Sequence, residues 1–136
     1  MTTIVCIDER DGLSFLGKRQ SRDAAVRDFI LRAGEGGRLL MNAYSAKQFE
    51  STDGITVSED PVRTAREGDV CFVENLPVPL DAADTVITLL WNRHYPADVH
   101  LDRETLTKHF TPIKTEEFAG KAHEKITVTT YRRNTP

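Results

Sequence analysis

Polar side chains able to bind or react gather, in this 136-residue sequence, at the ends of short apolar runs. Asp8 and Glu9 follow Ile4-Val5-Cys6-Ile7, and Asn42, Tyr44 and Ser45 follow Leu39-Leu40-Met41. Ser58 and Glu59 follow Ile55-Thr56-Val57, while Glu74 and Asn75 follow Val70-Cys71-Phe72-Val73. If these runs are parallel strands, their carboxyl ends form the crevice where open α/β sheets take ligands. Asp8, Asn42, Tyr44, Ser45, Glu74 and Asn75 are then the ligand-binding candidates, with the loop from Asp11 to Gln20 as a lid. The plainer alternative is that such residues cap helices and make turns. A second stretch, Trp91-Asn92-Arg93-His94-Tyr95-Pro96, offers Trp91, Arg93 and Tyr95 for stacking on a planar ligand or anchoring a partner. Equally, Trp91 could end a strand in the core and Tyr95-Pro96 could turn the chain. His123-Glu124-Lys125 sets an imidazole, an acid and a base side by side, but strand neighbours point to opposite faces. That stretch reads as a solvated turn.

The elements that would position these groups follow from the apolar pattern. Ile4 to Ile7 is a continuous apolar run, as expected of a central strand covered on both faces. Asp8 to Arg19 is polar and holds Gly12 and Gly17, so it reads as a long loop. Ser21 is placed to cap a helix reaching Ala33, with Ala25, Val26, Phe29, Ile30 and Ala33 at helical spacing. Arg38 to Met41 is a second strand, Tyr44 to Phe49 a short helix and Gly54 to Val57 a third strand. Asp60-Pro61 opens a helix of about seven residues, and Val70 to Val73 is a fourth strand. Pro77 and Pro79 forbid a regular helix directly after it. Thr85 to Trp91 is a fifth strand and Asp102 to His109 a capped helix. Phe110 to Phe118 and Ile126 to Arg133 then make an antiparallel pair. The predicted fold class is α/β, a mostly parallel central sheet flanked by helices and finished by antiparallel strands, in one domain over residues 1–136.

Composition narrows the partners. Apolar residues (39%) and charged residues (29%) stand near globular averages. No apolar run approaches the roughly 18 residues of a membrane helix, and Met1 to Cys6 has no basic flank of the kind a secretion signal carries. A cytoplasmic protein without a membrane partner is expected. The net charge of -3 supplies no field for phosphate backbones, so nucleic acid is not an expected partner. The pairs Lys18-Arg19 and Arg132-Arg133 read as solvated surface. Cys6 and Cys71 lie in apolar runs without CxxC spacing and read as buried thiols, a redox pair requiring that their strands be neighbours.

Several stretches resemble the dihydrofolate reductase family over nearly the whole chain. Ile4 to Asp8 with the loop through Gly17-Lys18 is similar to its first strand and active-site loop, and Leu39 to Ser45 to its second strand and the helix start that follows. Pro96-Ala97-Asp98-Val99-His100 resembles its Gly-Asp-Thr segment. Glu116-Glu117-Phe118 and Thr127 to Arg133 resemble its last two strands, including a final Tyr-x-Arg. The resemblance implies the fold and, in the family, a pterin substrate and NADPH. The departures oppose that chemistry. Ala25 stands where the family has a helix carboxylate one turn before an aromatic, here Phe29, and neither Asp23 nor Asp28 falls on that face. Glu74-Asn75 replaces the Gly-Gly that lets backbone approach the dinucleotide, and Pro77 and Pro79 remove the phosphate-facing helix. Asn42-Ala43-Tyr44-Ser45 replaces Gly-Arg-x-Thr, keeping only the hydroxyl of Ser45.

Some short bacterial chains of this appearance carry the label ribonuclease Z. A binuclear zinc nuclease needs clustered ligands in a His-x-His-x-Asp-His block, whereas His94, His100, His109 and His123 are scattered. No metal is expected. Two expectations remain: a non-reductase of this fold, not necessarily an enzyme and able to pair as a homodimer, binding an unidentified small molecule without NADPH; or an NADPH-dependent reductase of a pteridine-like or other conjugated substrate with a rebuilt site.

Overall fold

A computed structural model describes residues 1–135. The strand β1 (Thr2–Ile7) lies at the middle of the main sheet and is buried from Thr3 onward, as its unbroken apolar run requires. It pairs in parallel with β6 (Val70–Phe72) on one side and β7 (Thr85–Leu90) on the other. Beyond β6 come β4 (Leu39–Met41) and β5 (Ile55–Val57), both parallel. Beyond β7 come β10 (Ile126–Arg133) and then β9 (Phe110–Phe118), both joined antiparallel. The order of the seven-stranded sheet is therefore β5-β4-β6-β1-β7-β10-β9. This is the mostly parallel sheet with an antiparallel carboxyl-terminal pair that the sequence pattern predicts.

Alternation along the strands divides the core into two layers. Ile4 and Cys6 of β1 pack with Val26 and Ile30 of α1 (Ala24–Ala33), Met41, Phe72, Leu89, Trp91, Ile126 and Val128. Val5 and Ile7 face the other way, onto Leu40, Cys71, Leu80, Val86, Leu106 of α4 (Arg103–His109) and Tyr131. Arg133, expected on solvated surface, instead donates to the carbonyls of Ala83 and Leu80 and lies over the Phe110 ring, tying the last strand to the 3-10 turn Leu80–Ala82.

Four local expectations are corrected. Asp8 to Arg19 is not an open loop: Gly12–Phe15 (β2) and Lys18–Arg19 (β3) form a hairpin, and β2 also pairs with Val99–His100 (β8). Gly12, Leu13 and Ser14 are buried and Phe15 is exposed where the hairpin emerges, and Gly17 takes the left-handed backbone of its tip. Asp23, not Ser21, caps α1, accepting from the Ala25 N–H at 2.9 Å. The helix predicted to begin at Tyr44 is the single turn α2 (Ala43–Ala46), opened by Asn42. The helix after Asp60 is only α3 (Pro61–Thr64), because Thr64 turns its hydroxyl back to Ser58 and to the Asp60 and Pro61 carbonyls rather than extending the ladder.

Cys6 and Cys71 do sit on neighbouring strands, but Cys71 pairs with Thr3 and the two thiols face opposite layers. Burial raises both thiol pKa values, that of Cys71 to about 11. Neither thiol should react with a disulfide reagent within minutes at pH 8 in the native protein, and both should react in denaturant. A rapid native reaction, followed by absorbance, would contradict this packing.

Candidate functional site

Glu74 leaves the end of β6 pointing into the protein, and only 6% of it is exposed. A carboxylate so placed loses its water, which raises its pKa; the guanidinium of Arg19 opposes that rise. Arg19 reaches it from the hairpin, with Nε 3.0 and 3.2 Å from the two carboxylate oxygens. Its Nη2 donates to the Tyr44 carbonyl at 3.0 Å, and its guanidinium carbon lies 4.2 Å from the centre of the Tyr44 ring. The backbone N–H of Arg19 donates to the Tyr44 hydroxyl at 2.9 Å. A carboxylate, a carbonyl and an aromatic face thus converge on one planar cation. Arg19, expected in solvent, is the group that fills the crevice. Sequence reasoning missed it because a polar segment gave no sign that it would fold back as a hairpin.

Of the predicted residues, Asn42, Tyr44, Ser45, Glu74 and Asn75 do come together here. A chain of amides links them: the Ser45 N–H donates to Asn42 Oδ1, Asn42 Nδ2 to Asn75 Oδ1, and Asn75 Nδ2 to the Gly17 carbonyl. The Ser45 hydroxyl lies near enough to Glu74 to favour its charged form, yet it is buried without a hydrogen bond of ordinary geometry. The start of α2 is already occupied. Glu59 Oε2 accepts from the Ala43 N–H at 3.0 Å, so an anion arriving there would meet a carboxylate already in place. The adjoining groove, about 560 Å³, is lined by Glu59, Asp60, Val73, Leu76, Pro77 and Pro79, and the chain beyond it makes only the 3-10 turn.

Asp8 stands apart, with its carboxylate wholly committed. Its Oδ1 accepts from the N–H groups of Arg10 and Gly12, and Oδ2 from that of Tyr95, with His94 Nδ1 at 3.4 Å. Burial raises its pKa, but these donors outweigh burial and the net shift is downward. Asp8 organises the turn into the hairpin and anchors the segment after β7. The Trp91–Tyr95 stretch is also divided. Trp91 is buried in the core and offers no surface for a partner, while Arg93 is exposed. Tyr95 lines two cavities, one of about 280 Å³ with Phe15, Arg19, Gln20 and Pro96, the other of about 300 Å³ with Asp8, Arg10 and His94.

His123, read from sequence as part of a solvated turn, is 4% exposed. Its ring stacks on Trp91 with centroids 4.6 Å apart, and Nδ1 lies 3.0 Å from Asp23 Oδ2. Asp23 also accepts the N–H groups of Lys121, Ala122 and His123, so the cap of α1 is the hub of the 120–123 loop. Burial disfavours the charged carboxylate, but the Lys121 N–H, His123 and the other donors hold the Asp23 pKa well below its usual range. Gly120 is required there, since a Cβ would collide with the His123 carbonyl and stand 2.7 Å from Asp23 Oδ2. On the far side, His123 Nε2 lies 2.9 Å from the Tyr95 hydroxyl and 3.3 Å from that of Ser21. The one sequence signal was that Ser21 and Asp23 are both good helix caps. Nothing in the sequence pairs either with His123, a hundred residues away.

Among the described residues no group of three or more His, Cys, Asp or Glu side chains is placed to hold a metal ion, and no helix is long and apolar enough to cross a membrane. Because the folded pKa of Asp23 lies below its unfolded value of about 3.9, its stabilising contribution is complete above that pH and fades as pH falls toward the folded value. Asp23→Asn should lower stability at pH 7 by about 3 kcal/mol and flatten the loss of stability below about pH 4. Urea unfolding at several pH values measures both. Gly120→Ala should destabilise through the same loop, by on the order of 2 kcal/mol.

Comparison with known proteins yields a fold. No protein-family model matches the sequence, and no curated protein matches it. Among solved structures, a dihydrofolate reductase from Enterococcus faecalis, complexed with NADP(H) and RAB-propyl, superposes with a TM-score of 0.66 over 98% of this chain and 96% of that one, at 13% identity. The chain has the dihydrofolate reductase-like fold, as its strand pattern and its resemblance to that family implied.

Proposed function

We propose that this protein binds a small molecule at the carboxyl ends of its parallel strands, is not a folate reductase, and recognises a planar cation of the guanidinium or amidinium class. The observation that carries this reading is the seating of Arg19, whose guanidinium meets Glu74, the Tyr44 carbonyl and the Tyr44 ring at once. Such a corner suits a ligand bearing the same group, which would enter as the hairpin lifts. The buried hydroxyl of Ser45 adds, beside Glu74, a hydrogen-bonding group held by no well-formed bond. Pyrophosphate finds less favourable surroundings: Glu59 already holds the α2 N–H, the groove's cation, Arg63, stands beside Asp60, and prolines occupy the place where a helix start would be needed. NADPH is accordingly not proposed as a cofactor.

The hairpin sets the affinity. A tethered guanidinium competes at an effective concentration of roughly millimolar, so a free ligand binds the wild-type protein weakly until the tether is removed. Dimerisation and a cytoplasmic location belong to this proposal as further expectations, the former because β9 is an exposed edge strand.

A thermal-shift panel tests the reading. Arg19→Ala should melt several degrees lower than wild type and recover most of that loss in millimolar agmatine or methylguanidinium. Arg19→Ala with Glu74→Gln should show no such recovery. Ligand at a hundred times its dissociation constant adds about 2.7 kcal/mol, enough to be plain in a domain of this size. NADPH and dihydrofolate should leave the wild-type midpoint unchanged. A shift with NADPH would favour the rebuilt-reductase alternative, and indifference of Arg19→Ala to guanidinium compounds would remove the cation site. As a companion prediction, Glu74→Gly with Asn75→Gly should not confer NADPH affinity in a fluorescence titration, because Pro77 and Pro79 still bar a phosphate-facing helix.

A further inference from the structure

The polar cluster under Tyr95 serves more than the packing of the 120–123 loop. The Asp23 carboxylate beside Nδ1 fixes the His123 tautomer: Nδ1 carries the proton and Nε2 presents its lone pair. That lone pair faces two hydroxyls, Tyr95 at 2.9 Å and Ser21 at 3.3 Å, which stand 3.4 Å from each other. Trp91 covers one face of the imidazole, and four other N–H groups hold the carboxylate, so the base can neither swing away nor lose its orienting partner. A carboxylate, an imidazole and a hydroxyl in this order make up a hydroxyl nucleophile with its base and the group that orients the base. Purely structural anchoring of the loop needs Asp23 and the ring, but not two hydroxyls on the outward nitrogen. Ser21 is half-buried and lies beside, not on, the 280 Å³ cavity under the hairpin, whose wall includes its neighbours Gln20 and Tyr95. Gln20 Oε1, buried without a partner, leaves an unsatisfied acceptor on a residue of that cavity wall.

We propose that Ser21, His123 and Asp23 form an acyl-transfer centre for small carboxylic esters held in this cavity, which adjoins Ser21 through Gln20 and Tyr95. The Tyr95 O–H gives up His123 Nε2 to Ser21 and turns to the developing oxyanion. Ser21 Oγ attacks the ester carbonyl carbon while its proton passes to His123 Nε2. The carbonyl carbon–oxygen bond to the alcohol then breaks, and the alcohol leaves with that proton. Water, deprotonated by the same nitrogen, attacks the acyl-serine and releases the carboxylic acid, returning Ser21 to its starting state. Asp23 is a positioning residue and touches no reacting atom. The site shares Tyr95 with the hairpin but does not depend on the Glu74 corner, so failure of either proposal leaves the other standing.

The full-length protein is treated with diisopropyl fluorophosphate, the adduct is located by mass spectrometry, and p-nitrophenyl acetate turnover is followed alongside. One adduct per chain on Ser21 is expected, together with ester turnover that Ser21→Ala lowers by on the order of 100-fold or more while the melting temperature stays within a few degrees of wild type. Because His123→Gln removes a buried group, its loss of reactivity counts only if its circular dichroism spectrum is native; Ser21→Ala carries the test otherwise. In folded Asp23→Asn, the acylation rate should reach half its plateau at a lower pH, a shift that loosened packing alone does not produce. Absence of an adduct at millimolar reagent over hours overturns the proposal. So does an adduct on Tyr95 in place of Ser21, or turnover unchanged in Ser21→Ala.

Discussion

Glu74 is a carboxylate taken out of water at the end of a strand, and much of the crevice follows from that. A buried charge without a partner costs several kcal/mol, so a cation has to come to it. Arg19 supplies the cation, and in doing so it brings down the hairpin that carries it. The backbone of the hairpin is then held by the Tyr44 hydroxyl and by Asn75, whose amide is oriented in turn by Asn42. Asn42 caps α2 with its remaining oxygen. A single ion pair thus connects the second and fourth parallel strands of the sequence to the segment after the first. Its net worth to stability is modest, as for most such pairs, but the geometry it enforces closes the crevice.

Three carboxylates are buried at this end of the molecule, and each is satisfied differently. Asp8 relies chiefly on backbone N–H groups, which hold it ionised and make it an organiser of turns. Asp23 combines backbone donors with an imidazole and so joins the start of α1 to the distant 120–123 loop. Glu74 alone depends on a side chain that could be exchanged for an outside molecule. Ranking them by what would have to move separates two acids fixed in turns from the one proposed to bind a ligand. Asp8 and Asp23 are released only by breaking the chain's own turns, whereas the main partner of Glu74 is one arginine side chain on the hairpin.

The sheet was legible in the sequence because its strands are short apolar runs with turn residues between them, a pattern that the two-layer core reads out directly. The antiparallel end was legible for a related reason, since two strand-like segments with a short connection have no room to cross over. What escaped reading was everything that depends on distant partners. Lys18-Arg19 looks like solvated charge until β2 and β3 fold, and His123 looks exposed until Trp91 covers it. Six candidate residues were named at strand ends and five of them converge, yet the group at their centre was not among them. Asp23 was considered only for the face of α1 and rejected there; its role is at the cap, where its direction is set by the loop and not by helical periodicity.

Likeness of fold does not by itself carry likeness of chemistry, and the proposed difference has an electrostatic reason. The carboxyl ends of parallel strands and the helix starts beside them present N–H groups, which makes such a crevice receptive to anions by default. In this chain Glu59 occupies the α2 start and Glu74 is buried at the end of β6, while prolines keep the segment after β6 from forming the helix that would face a phosphate. On the proposed reading, these two carboxylates, one of them already paired with Arg19, set the same crevice toward cations. A few side chains at strand ends are enough to do this, because the strands beneath are held by packing on both faces and are indifferent to what stands above them. On that reading the scaffold is kept whole while the sign of its preferred ligand is reversed.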